Sequence, residues 1–176
     1  MLFEVKEVLD GLATPIYKLR GSMPWTAGYY TVKKKTICSA IDARLLSGGV
    51  ELPERYGHRI DERAVEYPWV FAQLPKLPGK VLDAGSALNH RFLLERAPLR
   101  DAQLTIMTLA PEKRCYWHRA ISYVYGDLRE PYFASASFDT VVSVSTIEHV
   151  GLDNTLLYTG DAAKRESDDL GFIPAV

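Results

Sequence analysis

Four short stretches of this sequence carry the residue types from which a small-molecule site is built, and each directly follows a run that reads as a β-strand. The first is Asp83-Ala84-Gly85-Ser86-Ala87-Leu88-Asn89-His90, in which Gly85 permits a tight turn. Ser86 and Ala87 are small enough to let a ligand approach the backbone where a helix begins. The second, Thr108-Leu109-Ala110-Pro111-Glu112, offers a hydroxyl and a carboxylate, and the third, Gly126-Asp127-Leu128, offers a second carboxylate. The fourth, Ser145-Thr146-Ile147-Glu148-His149, adds two hydroxyls and an imidazole, whose ordinary pKa suits a general base acting on an acceptor hydroxyl. Each stretch has a plainer use. Asp-x-Gly after a strand is common turn chemistry, Asp127 reads equally as the cap of the next turn, and a histidine at a helix start usually serves the loop. Glu148 reads as structural.

These positions matter together only if the elements before them lie side by side. In an open parallel sheet, ligands bind beyond the carboxyl ends of the strands, where the strand order reverses. From residue 80 onward the pattern alternates: a strand over 80–85, a helix over about 89–97 stopped by Pro98, and a strand over 103–109. A short helix over 111–118, a strand over 121–125 and a β-branched strand over 138–145 follow. Strands separated by helices imply right-handed crossovers and a parallel sheet, so the expected class is α/β with helices on both faces.

The first third is broken by Gly11, Pro15, Gly21, Pro24, Gly28, Gly48, Gly49, Pro53 and Gly57, so its helices must be short. One is expected from about Lys33 to Leu46, on the spacing of Ile37, Ile41 and Leu45. The run Lys33-Lys34-Lys35 reads as a solvated helix end before it reads as a contact for an anionic partner. The aromatic cluster Trp25, Tyr29 and Tyr30 reads equally as part of a substrate lid or as packing of an extension. A further helix is expected over 61–74, with Asp61 as its cap and Pro68 kinking or splitting it. The domain division drawn from this pattern is an extension over 1–60 and a ligand-binding domain over 61–176.

The chain has 176 residues, of which 47% are apolar and 24% charged, the composition of an ordinary globular domain. The net charge of -1 gives no basic field to draw in phosphates, so generic nucleic-acid binding is not expected. Two cysteines, Cys38 and Cys115, and four histidines without paired spacing give neither a disulfide framework nor a metal site. No run of about 18 apolar residues occurs, so no membrane span is expected. The N-terminus lacks the basic patch and apolar run of a secretory signal. A cytoplasmic protein is the expectation.

The four stretches resemble, in order and spacing, the motifs of the class I S-adenosylmethionine-dependent methyltransferases, over roughly residues 62–155. Val81-Leu82-Asp83-Ala84-Gly85-Ser86-Ala87 is similar to the first motif, Leu104 to Glu112 to the second strand and turn, and Gly126-Asp127 to the third motif. Phe138 to Ser143, continuing through Glu148-His149-Val150, is similar to the fourth. The resemblance implies a Rossmann-like sheet with strand order 3-2-1-4 and S-adenosyl-L-methionine as cofactor. Gly85, Ser86 and Ala87 would wrap its methionine end, braced by Asp83. Thr108 would stand at the ribose position, with Glu112, four residues on, as the alternative that reaches back to the ribose instead. Asp127 and the Leu128 backbone would stand at the adenine, and Ser145 and Thr146 on the floor near the sulfonium. His149 is the candidate base, and no metal is implied. The acceptor would be a small molecule or sugar. The signature Asn-Pro-Pro-Tyr does not follow the fourth strand, which argues against DNA bases.

The sequence also departs from that pattern. Ala87 and Asn89 replace the later glycines of the first motif, and Thr108 replaces the acid that holds both ribose hydroxyls. The chain ends at Val176, so strands 1–4 only of the seven-stranded sheet are expected, with the fourth at an edge. Val141, Val142 and Val144 would then form an apolar edge that invites self-association or poor solubility unless the tail folds back over it. Two other readings stand beside the enzyme: a truncated or degenerate, non-catalytic partner subunit, and a nicotinamide- or nucleotide-sugar-binding Rossmann protein. The second of these lacks Gly-x-Gly-x-x-Gly after the first strand.

Overall fold

The computed structural model describes residues 8–48 and 52–152. The tail from 153, with its acidic Asp168 and Asp169, lies outside the described residues. The chain forms two compact units that divide between Gln73 and Leu74, where the sequence pattern suggested 60/61.

The first unit is helical. Helix α1 spans Thr14–Leu19, α2 spans Tyr29–Asp42, and α3 spans Arg63–Gln73. Its buried side chains include Tyr17, Tyr29, Ile37, Ala40, Ala64, Tyr67, Val70 and Phe71. Helix α2 begins four residues before the expected start because Asp10 supplies its cap from outside. The two Asp10 oxygens accept the amides of Gly28 at 2.6 Å and Thr31 at 2.7 Å. It ends early because Arg44 turns to φ 53° and the Leu45 amide returns to the Ala40 carbonyl. Asp61, expected to cap α3, instead turns its Oδ2 to the Tyr29 hydroxyl and to Lys33.

Pro68 neither splits nor ends α3, which runs through it. A proline has no N–H to give the carbonyl four residues back, here that of Ala64. That carbonyl is instead taken by the Tyr56 hydroxyl at 2.5 Å. Burial raises the Tyr56 phenol above its ordinary pKa.

The second unit is α/β, a four-stranded, all-parallel, Rossmann-like sheet. Its strands are β1 (Lys80–Ala84), β2 (Gln103–Thr108), β3 (Ser122–Tyr125) and β4 (Thr140–Val142), in the order β3-β2-β1-β4. That is the order the resemblance implied. In register, Asp83 lies between Ile106 of β2 and Val142 of β4. Strand β1 is buried along four of its five residues and fits the centre of the sheet, whereas β3 is exposed at Ser122 and Tyr125 and only half-buried between them, and fits an edge. Core side chains include Val81, Leu82, Leu88, Leu93, Leu94, Leu99, Ile106 and Met107.

The connections are less helical than expected. Between β1 and β2 only Arg91–Leu94 (α4) and a 3-10 turn at Leu99–Asp101 form. Asn89 is held out of the helix: its Nδ2 donates to the Arg114 carbonyl and its Oδ1 accepts the Tyr123 hydroxyl, both at 3.0 Å. At the other end, the Arg119 and Arg96 guanidiniums donate to the Leu94 and Phe92 carbonyls at 2.5 and 2.9 Å. The helix expected over 111–118 is a loop with a 3-10 turn at Trp117–Arg119. The Tyr116 amide, whose helical partner would be the Glu112 carbonyl, donates to the Tyr123 hydroxyl at 2.9 Å.

Strand β4 is also shorter than the β-branched run: it pairs with β1 over Thr140–Val142, and the chain turns at Ser145, φ 46°. Among the described residues it pairs with β1 alone. Its apolar edge is smaller than expected: Val141 is 61% exposed, while Val142 and Val144 are buried. No helix among the described residues is long and apolar enough to cross a membrane.

Candidate functional site

All four chemical stretches follow the carboxyl ends of parallel strands, and backbone bonds hold the first three turns together. The Gly85 amide donates to Met107 of β2 at 2.8 Å, and the Gly126 amide donates to Thr108 at 3.0 Å. Asp83, the fourth residue of β1, is fully buried. Its Oδ2 accepts the Leu88 amide at 2.8 Å, so the carboxylate closes the turn that follows its own strand. The bracing role expected of Asp83 thus has a geometric counterpart in the loop itself.

Gly85 sits at φ 114°, a conformation that side chains disfavour, and a Cβ there would run into the Thr146 side chain. The first and fourth stretches therefore meet at Gly85 and Thr146. Thr146 also donates its hydroxyl to the Val144 carbonyl at 3.0 Å, which fixes its rotamer. Ser145 precedes it, half-buried. Ser86, likewise in the left-handed region at φ 63°, donates its hydroxyl to Glu112 Oε1 at 2.5 Å. Ala87 continues the turn, half-buried. The Ser86–Glu112 bond brings the carboxylate that follows β2 onto the loop that follows β1.

Thr108 closes β2 and is 4% exposed. A hydroxyl so enclosed is poorly placed for a ligand, and Glu112 is the accessible acid of this turn. Asp127 lies after β3, but its carboxylate is engaged. Both of its oxygens take the Arg129 guanidinium, with Nη2 to Oδ2 at 2.6 Å, and Oδ1 also accepts the Arg129 amide at 2.8 Å. These bonds hold the Asp127 carboxyl below its ordinary pKa, against a smaller opposing effect of burial. Leu128 packs instead on Leu82, Ala84 and Met107, beneath the strand ends. His149 sits in a 3-10 turn, Ile147–His149, with its side chain exposed, and Glu148 is exposed beside it.

Two features of the site were not anticipated. Asn89 stands where the resemblance puts a glycine. Together with Tyr123 it forms a hydrogen-bonded clasp between the loop after β1 and the loop after β2. Burial chiefly raises the Tyr123 phenol to about 12, so it stays protonated and keeps donating. The other is Arg129, whose position two residues after an aspartate was the available signal for the Asp127 pair. Among the described residues, no group of histidine, cysteine or acidic side chains is arranged to hold a metal ion.

No protein-family model matches this chain, and no curated protein matches it either.

Proposed function

We propose that the sheet unit binds the adenosyl group of S-adenosyl-L-methionine and transfers its methyl group to a small-molecule or sugar acceptor. The observation that carries this reading is the Ser86–Glu112 bond. It sets a carboxylate across the loops that follow β1 and β2. One carboxylate has two oxygens and suits the two hydroxyls of a ribose. Glu112 thereby takes the part that the resemblance assigned to Thr108. The strand order β3-β2-β1-β4 and the left-handed Gly85 and Ser86 support the same reading.

The residues fit the adenosyl group better on the ribose side than at the adenine. Asp127 is already paired with Arg129, so adenine contacts fall to the Leu128 backbone unless that pair opens. When bound, the cofactor supplies a methyl group activated by the sulfonium. The chain's own tasks are then alignment and exclusion of water, with Ser145 and Thr146 as the floor and His149 as acceptor of a proton from the substrate hydroxyl. A second reading, a binding module without transfer, is favoured by the Asp127–Arg129 pair and by Thr146 lying against Gly85.

Calorimetry with S-adenosylhomocysteine tests the proposal. Binding by the intact chain, and none by NAD, is the expected result. Glu112→Ala should weaken binding about tenfold, the worth of a hydrogen bond to a charged group, while Thr108→Val, which removes the buried hydroxyl at nearly constant shape, should change little. Binding of NAD alone would replace this reading with a dinucleotide site. A response to Thr108 rather than Glu112 would show that the acid is wrongly assigned. Radiolabelled methyl transfer to a panel of small hydroxyl and amine acceptors separates the enzyme from the binding module.

A further inference from the structure

The helical unit has a cavity of about 340 Å3, at the low end of the size range of small-ligand pockets. The cavity is lined by residues that include the aromatic Trp25, Tyr29 and Tyr30 and the charged Asp10 and Lys33. The two charges do not cancel one another. Lys33 Nζ lies 2.6 Å from Asp61 Oδ2, with side chains 16% and 12% exposed, so its charge is matched by Asp61. The second oxygen, Asp61 Oδ1, is buried with no hydrogen-bond partner among the described residues.

Asp10 is left as the net charge of the cavity, since no described Lys or Arg pairs with it. The start of α2 offsets it by about half a charge. Each Asp10 oxygen accepts one backbone amide and keeps a second lone pair.

The rings suit the same sign of ligand. Aromatic faces are electron-rich and attract cations. Lys33 Nζ already lies 5.9 Å from the centre of the Trp25 ring, so a cation is accommodated against this indole. Trp25 is 76% exposed and stands at φ 63°, in a region that bulky residues rarely adopt. Its centre lies 4.9 Å from that of the buried Tyr29, which backs the indole. Tyr29 in turn is fixed by its hydroxyl, which donates to Asp61 Oδ2 and accepts the Asp61 amide, both at 3.1 Å.

We propose that this cavity binds a small organic ammonium ion, a methylated or quaternary amine, through the rings of Trp25 and its neighbours and the carboxylate of Asp10. The inference is independent of any function of the sheet unit. The probe is choline chloride, compared with 3,3-dimethylbutan-1-ol, which has the same shape without the charge. The full chain is titrated while the Trp25 indole N–H resonance is followed, assigned by its loss in Trp25→Leu. Choline is expected to shift it saturably in the millimolar range, at least about fivefold more tightly than the neutral analogue. Trp25→Leu should abolish choline binding measured by calorimetry without unfolding the chain, because the ring is exposed. Asp10→Asn, which keeps an acceptor for one of the capped amides, should weaken choline several-fold. Should that variant fail to fold, the comparison of choline with its neutral analogue decides alone. Equal binding of the two, no saturable shift up to about 0.1 M choline, or binding that survives Trp25→Leu would overturn the proposal.

Discussion

Tyr123→Phe removes one oxygen and leaves the ring that packs edge-on against Trp117 at 4.8 Å. That oxygen donates to Asn89 Oδ1 at 3.0 Å and accepts the Tyr116 amide at 2.9 Å. Two neutral hydrogen bonds are each worth about 1 kcal/mol net, and Asn89, only 9% exposed, is left with a poorly hydrated acceptor. The expected loss is therefore about 2 kcal/mol at pH 7, read from the urea midpoint at constant m-value.

The pH dependence gives a second, sharper test. The phenol is raised from 10.0 to about 12 in the folded chain, so its protonated form is favoured by folding. Stability from this group is fully present below pH about 10 and is lost as pH rises through about 12. The gap between the native chain and the variant should stay constant up to pH about 10 and narrow between about 10 and 12. The variant should also bind S-adenosylhomocysteine less tightly, because the clasp that holds the two loops together is gone. A gap below about 0.5 kcal/mol, or one that widens above pH 10, would refute the clasp as a contributor to stability.

The Tyr56 hydroxyl occupies the carbonyl that Pro68 leaves open, so Tyr56→Phe should cost about 1–2 kcal/mol in the native background. In a Pro68→Ala background the new amide takes that carbonyl, and the same change should cost about 0.5 kcal/mol. Equal costs in a double-mutant cycle measured by chemical denaturation would contradict the substitution of one donor for the other. For the turn after β3, Arg129→Ala should return the Asp127 carboxyl toward its ordinary 3.8, observable by carbon NMR titration. Because that pKa is lowered by folding, the contribution of the pair is present above pH about 4 and lost as pH falls through the folded value. An Asp127 titration unchanged by Arg129→Ala would assign the shift to something other than the guanidinium.

Much of the sheet was legible in the residues because its strands are short, apolar and β-branched runs bounded by turn signals. Lys80–Ala84 and Gln103–Thr108 lie within the expected strands, and Asp83-x-Gly85 marks the sharp turn that closes the first. These features are local: side-chain type sets the backbone preference, and glycine alone tolerates φ 114° without strain. The positions of the chemical residues relative to the strands followed from the same pattern. The strand order came from the resemblance, since spacing by itself leaves the order of parallel strands open.

The tertiary structure decided everything that depends on a partner distant in the chain. Helix α3 passes through Pro68 because a hydroxyl from Tyr56 replaces the missing donor, and α2 starts at Tyr29 because Asp10 reaches its first turn from 18 residues before Gly28. Neither is visible in helical periodicity. The helix expected after Pro111 gives way because Tyr116 finds its acceptor on β3. Glu112 reaches Ser86 from 26 residues away, a contact that the sequence, which offered both Thr108 and Glu112 for the same position, could not supply. Residue type and local spacing determine which turns are made and which groups stand at them. Which of those groups meet is fixed only when the strands align, because hydrogen bonds between loops require positions that no single segment contains.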